Sequence, residues 1–169
     1  MKLSREDLIE SEATMNQMRN AIYHLQRFMK LNGITEIREK MRRMGRNIAR
    51  SYVNYWIPIE FIDLNNVNNA IATIYRKILD SSVSVDVNES NQTILVKDND
   101  CALCKYKFDD IEIAGCEIIA GLVSEMINLI NEKRVNQNKL KLELMDITQS
   151  FTFGDKSCLQ IYKYKFGGK

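Results

Sequence analysis

Between Ile111 and Ile130 apolar residues fall on almost every side of a helical projection, with Ile113, Ile118, Ile119, Leu122, Met126 and Leu129 among them. A helix apolar nearly all round has no face to give to water, so this stretch predicts a central, buried helix that other elements must cover. The covering elements are legible on both sides of it. Leu8, Met15, Met18, Ile22, Leu25 and Phe28 recur at steps compatible with one helical face between about Arg5 and Leu31, and Asn32-Gly33 supplies a stop. Thr35 reads as the cap of a second helix carrying Ile37, Met41, Met44, Ile48, Tyr52 and Tyr55, with Pro58, the only proline, beyond its exit. Val67, Ile71, Ile74 and Ile78 predict a third.

The period then changes. Val83, Val85 and Val87 alternate with polar residues, Asn88 to Asn91 is turn-like, and Thr93 to Val96 is rich in β-formers, which predicts a hairpin. Two more strands follow the central helix, Leu140 to Phe151 and Cys158 to Phe166, joined through Gly154-Asp155. The order is therefore ααα-ββ-α-ββ. That order predicts an α+β fold with helices packed on a four-stranded antiparallel sheet, in a single domain over residues 1–169.

Composition excludes several classes of function. A hydrophobic fraction of 45% with 27% charged residues rules out a wholly disordered chain. A net charge of +2 gives no ground for nucleic-acid binding, which needs clustered excess positive charge. The opening MKLSREDLIESEATMNQ lacks the apolar core of a secretory signal, and no run is apolar for as long as a membrane span needs. The expected location is the cytoplasm, with peripheral contact on membranes as an option. There the four cysteines are reduced.

Cys101, Cys104, Cys116 and Cys158 are the right number for a tetrahedral thiolate site, and zinc is the cofactor such a set would hold. The alternative reading makes Cys116 and Cys158 small buried hydrophobes. Arg38, Arg42, Arg46 and Arg50 repeat every four residues along the second helix. The stripe suits either a lipid or partner face, or a solvated face paired with Glu36 and Glu39. Gly45, in the middle of that helix, costs about 1 kcal/mol relative to alanine, so close helix packing is the expected compensation, and Gly121 in the central helix would serve it equally. His24 is the only histidine, and no nucleophile context or phosphate-cradling loop accompanies it. No catalytic residue is expected, and the chain reads as a non-enzyme.

Two segments carry a family resemblance. IREKMRRMGRNIARSYVNYWI, from Ile37 to Ile57, resembles the second helix of the small subunits of TRAPP, the transport protein particle, in which a Met-Gly step interrupts an amphipathic helix. GCEIIAGLVSEMI, from Gly115 to Ile127, resembles that family's buried helix, with a cysteine and a glycine five positions on. The element order is similar from about Met18 to Phe166, most closely to the central, acylated subunit. The resemblance implies a non-enzymatic scaffold that dimerises through its amino-terminal helices, as a homodimer or heterodimer with another TRAPP-like subunit. It also implies a part in vesicle tethering and small-GTPase activation within an assembly. The acylated cysteine of the central subunit has no counterpart, since the first hundred residues contain none.

DCALC (Asp100 to Cys104), Cys116 and GDKSC (Gly154 to Cys158) resemble the related vinyl-reductase ligand-binding domain. That second likeness implies a sensor module holding zinc, a small hydrophobic ligand, or both. Where its members place a cysteine eight positions before the last, this chain has Ser150, and Cys104 is the candidate substitute.

Overall fold

The computed structural model describes residues 4–133 and 139–167. Helix α1 runs Arg5–Leu31 and opens on a capping box, in which the Ser4 hydroxyl accepts from the Asp7 amide and the Asp7 carboxylate accepts from the Ser4 amide. These bonds, foremost that from the Ser4 backbone, hold the Asp7 carboxyl below its ordinary range. Gly33, at φ +71°, turns the chain into α2 (Ile37–Tyr52). The residue at the cap of α2 is Glu36 rather than Thr35, and its side chain makes no capping hydrogen bond. Helix α3 spans Val67–Leu79.

The first hairpin, β1 (Val83–Asn88) and β2 (Thr93–Asp98), is followed by a long loop and α4 (Cys116–Glu132). Strand β3 (Lys139–Gln149), a 3-10 turn at Phe151–Phe153 and β4 (Cys158–Gly167) complete the described chain. The sheet order is β1-β2-β4-β3 and every pairing is antiparallel. The architecture is thus α+β, four helices with a four-stranded antiparallel sheet.

Helix α4 lies between α2 on one side and β3 with β4 on the other, while α3 packs against β1. This placement accounts for its sequence. Ile118, Ile119, Val123, Met126, Ile127 and Ile130 are all buried, on faces that look both to the sheet and to the helices. Against α4, α2 turns the line Met41, Gly45 and Ala49, all buried.

Helix α1 departs from the expected pattern. Its apolar residues occupy a wide arc, and only half of that arc faces the chain's own core: Ile22 and Met29 are buried beside Tyr23. Met18, Leu25 and Phe28 point outward, with Leu25 and Phe28 38% and 61% exposed. The inward side carries two polar residues instead, Arg19 and Gln26, both buried. The reason is the surface that α1 covers. It meets α2 only sparsely and rests largely on the loop between β2 and α4, whose carbonyls and carboxylates ask for donors rather than for more hydrocarbon.

Candidate metal centre

All four cysteines converge. The Sγ atoms of Cys101, Cys104, Cys116 and Cys158 lie within 4.8 Å of one another, and each residue is buried. A tetrahedral ion bonded to sulfur at about 2.3 Å would set its ligands roughly 3.8 Å apart, so the cluster needs only a slight contraction to close on one. The four thiols could therefore hold a metal ion. Their donor chemistry, four soft sulfurs in a buried set, suits zinc or an iron–sulfur unit and not a hard cation.

Three separate elements deliver these sulfurs. Cys101 and Cys104 come from a tight turn just after β2, closed by the Cys104 amide donating to the Cys101 carbonyl at 3.2 Å. Cys116 is the first residue of α4 and Cys158 the first of β4. Register explains the meeting, because β4 pairs with β2 so that Cys158 stands opposite Asp98, where the loop to Cys101 begins.

The electrostatics single out one sulfur. Burial alone would raise the Cys104 thiol, but hydrogen bonds from Cys101, Cys116 and Cys158 outweigh it and hold that thiol well below its ordinary value. The Cys116 amide, at the positive end of α4, also donates to Cys104 Sγ at 3.1 Å. Bonding to Cys104, Cys116 and Cys158, with burial behind it, pushes Cys101 up.

Hydroxyl groups surround the sulfurs. Ser150 Oγ lies 3.5 Å from Cys158 Sγ and 3.9 Å from Cys116 Sγ, so it sits beside the cluster while Cys104 fills the fourth place. The Tyr23 hydroxyl donates to the Leu103 carbonyl at 2.7 Å, inside the CxxC turn, and lies 2.8 Å from Thr152 Oγ1. Burial first, then the neighbouring Cys104, pushes the Tyr23 hydroxyl far above its ordinary value and keeps it a donor. Asp98 is fully buried; its Oδ1 accepts from Ser81 and from the Asp100 amide, and its Oδ2 has no hydrogen-bond partner among the described residues. Tyr23, Thr152 and Asp98 were not among the expected site residues. Nothing local in the sequence marks them, since each comes from a different element.

The other candidate residues lie away from this centre. A Cβ placed on Gly45 would come 1.9 Å from the Ile118 carbonyl oxygen, and one on Gly121 would come 2.4 Å from that of Arg42. The arginine stripe is turned along α4. Arg42 and Arg38 both reach the buried Glu117, at 2.7 and 3.1 Å, Arg50 reaches Glu125 at 2.8 Å, and Arg46 pairs with Glu39. His24 is exposed on α1. Among the described residues no helix is long and apolar enough to cross a membrane.

Fold and site together define an α+β domain with a buried four-thiol centre at the junction of loop, helix and sheet. No family model matches the sequence, and no curated protein matches it either. Among solved structures, a trafficking protein particle complex subunit 3 from Naegleria fowleri, covalently bound to palmitic acid, superposes with a TM-score of 0.62. The two share 11% identity over 94% of this chain and 99% of that one. The likeness shows a TRAPP-like fold.

Proposed function

We infer that the chain is a non-enzymatic interaction module of the TRAPP kind, which pairs through its amino-terminal helices and carries a structural zinc ion in its four-thiol centre. The observation that supports pairing is the outward arc of α1: Met18, Leu25 and Phe28 are exposed on a helix whose adjoining face is docked, while the core is filled without them. A second copy is the partner for such an arc, because a two-fold interface is the commonest oligomeric arrangement. A related subunit in place of the second copy would give the heterodimer. Participation in vesicle tethering is the role that the fold likeness supports, and assistance to a small GTPase within an assembly is part of the same proposal.

In the neighbouring structure palmitic acid is covalently bound. Here all four cysteines of the chain stand in the buried cluster, so the chemistry assigned to them is ligation of one ion. The arginine stripe is engaged with Glu117, Glu125 and Glu39, which leaves little of its charge to offer an anionic lipid surface.

A second reading, a sensor module of the vinyl-reductase kind that also binds a small hydrophobic ligand, is favoured by the thiol centre. Zinc is common to both readings, whereas a thermal shift with a hydrophobic ligand belongs to the second alone. Metal analysis and sedimentation of the purified full chain test the main reading. One zinc per chain and a dimer at micromolar concentration are expected. A strict monomer, or metal-free protein with four titratable thiols, overturns the corresponding half.

A further inference from the structure

We propose that zinc in the four-thiol centre governs the docking of α1, with the loop of residues 99–115 as the link between them. The proposal rests on the reading that this centre holds zinc. It adds a control over the helix that carries the exposed apolar arc.

The link is visible in where the anchors of α1 end. Arg19 Nε donates to the Ala102 carbonyl at 2.6 Å, and the Tyr23 hydroxyl donates to the Leu103 carbonyl at 2.7 Å. Ala102 and Leu103 are the two residues enclosed by Cys101 and Cys104. The direction in which those carbonyls point is therefore set by the turn that presents both sulfurs. Further along, Lys105 meets Glu12 at 2.9 Å, Arg27 donates to Asp110 at 2.9 Å, and Lys30 pairs with Glu112. Phe108 packs on Tyr23 with ring centroids 4.4 Å apart. Apart from the caps at Ser4 and Asn32 and the contact of Tyr23 with Thr152, these side-chain hydrogen bonds and ion pairs from α1 end on this loop.

The loop itself has no helix or strand to hold it. A connection longer than about 12–15 residues without regular structure needs some other fixing or a function. Without an ion the four sulfurs are weak hydrogen-bonding groups and supply little of that fixing, whereas a bound ion would tie Cys101 and Cys104 to the starts of α4 and β4. An ion that binds only the ordered loop stabilises the docked helix by mass action. Loss of the ion then frees α1 first and leaves α3, β1 and β2 in place.

The test is hydrogen exchange on the full chain, zinc-loaded and stripped with a chelator. Stripping should speed exchange across residues 15–31 and 99–115 by about tenfold or more, while β1 and β2 stay protected. A second protein, Arg19→Gln with Tyr23→Phe, keeps all four cysteines; it should bind one zinc per chain yet exchange α1 rapidly even when loaded. If stripping unfolds the whole chain, the loaded variant decides: fast exchange in α1 with protected strands supports the link, and exchange equal to wild type overturns it. Zinc bound with α1 equally protected in the loaded and stripped wild type sinks the link and leaves the metal reading standing. A protein that takes up no zinc sinks both.

Discussion

Gly45 and Gly121 face each other's helices: the first lies against the backbone of Ile118 and Leu122, the second against that of Arg42. A side chain on either would meet backbone atoms, which cannot step aside as the end of a flexible side chain can. Gly45→Ala and Gly121→Ala should therefore each cost at least about 3 kcal/mol despite alanine's better helix propensity. Gly167→Ala, whose added carbon meets Lys141 Cε at 3.5 Å, is the control and should change stability by less than about 0.5 kcal/mol. Urea unfolding midpoints of the three variants check this.

The same α2–α4 contact holds the carboxylate of Glu117, 2% exposed, against Arg42 and Arg38. Burial raises the Glu117 carboxyl above its ordinary value of 4.5 even though Arg42 and Arg38 pull it down, so desolvation outweighs the attraction. Arg42→Met removes much of the attraction and leaves the desolvation, for an expected loss of about 3–5 kcal/mol at neutral pH. In the variant the folded carboxyl binds its proton more tightly still. The loss should shrink as pH falls toward 5, and a deficit independent of pH would contradict the assignment.

The sequence made α4 legible because burial on two sides leaves its mark on every turn of Cys116–Glu132, and β1 because Val83, Val85 and Val87 alternate. It made the four cysteines legible as a set, through CxxC. What it did not contain was the register of β2 on β4 that sets Cys158 opposite Asp98, a pairing between residues far apart in the chain. Nor did it say which half of α1's arc turns inward. That choice belongs to the irregular loop of residues 99–115, whose carbonyls take Arg19 and Tyr23 and so rotate Leu25 and Phe28 to the outside. The arginine stripe was visible too, but its acceptors Glu117 and Glu125 are on another helix.

Asp98 gives a prediction with a definite sign. Burial raises its carboxyl above the ordinary value of 3.8, against the opposing bonds from Ser81 and Asp100. A folded state that binds the proton more tightly than the unfolded chain loses stability as pH climbs from about 3.8 through the raised value. Asp98→Asn keeps an oxygen to accept from Ser81 and the Asp100 amide and carries no charge to desolvate. The variant should gain about 1 kcal/mol at pH 7, gain nothing below pH 4, and flatten the decline between them. Thermal melts across that range give the comparison.

The exposed arc of α1 separates association from folding, because Phe28 and Leu25 take little part in the core while Ile22, on the adjoining face, is buried in it. A charge at the centre of an apolar interface is left without water or partner when two copies meet, and residues of this kind commonly carry 2 kcal/mol or more of binding, about 30-fold in affinity. Phe28→Glu should accordingly weaken self-association by at least that factor in sedimentation, and Leu25→Glu with Phe28→Glu should leave a monomer at about 10 μM. Both variants should keep the unfolding transition of the monomer, since neither side chain supports Tyr23 or the loop beneath it. Ile22→Glu should instead undock α1 and lower the unfolding midpoint, because its side chain is buried against the rest of the chain. If Phe28→Glu proved as destabilising as Ile22→Glu, the arc would belong to the core and α1 would present no interface.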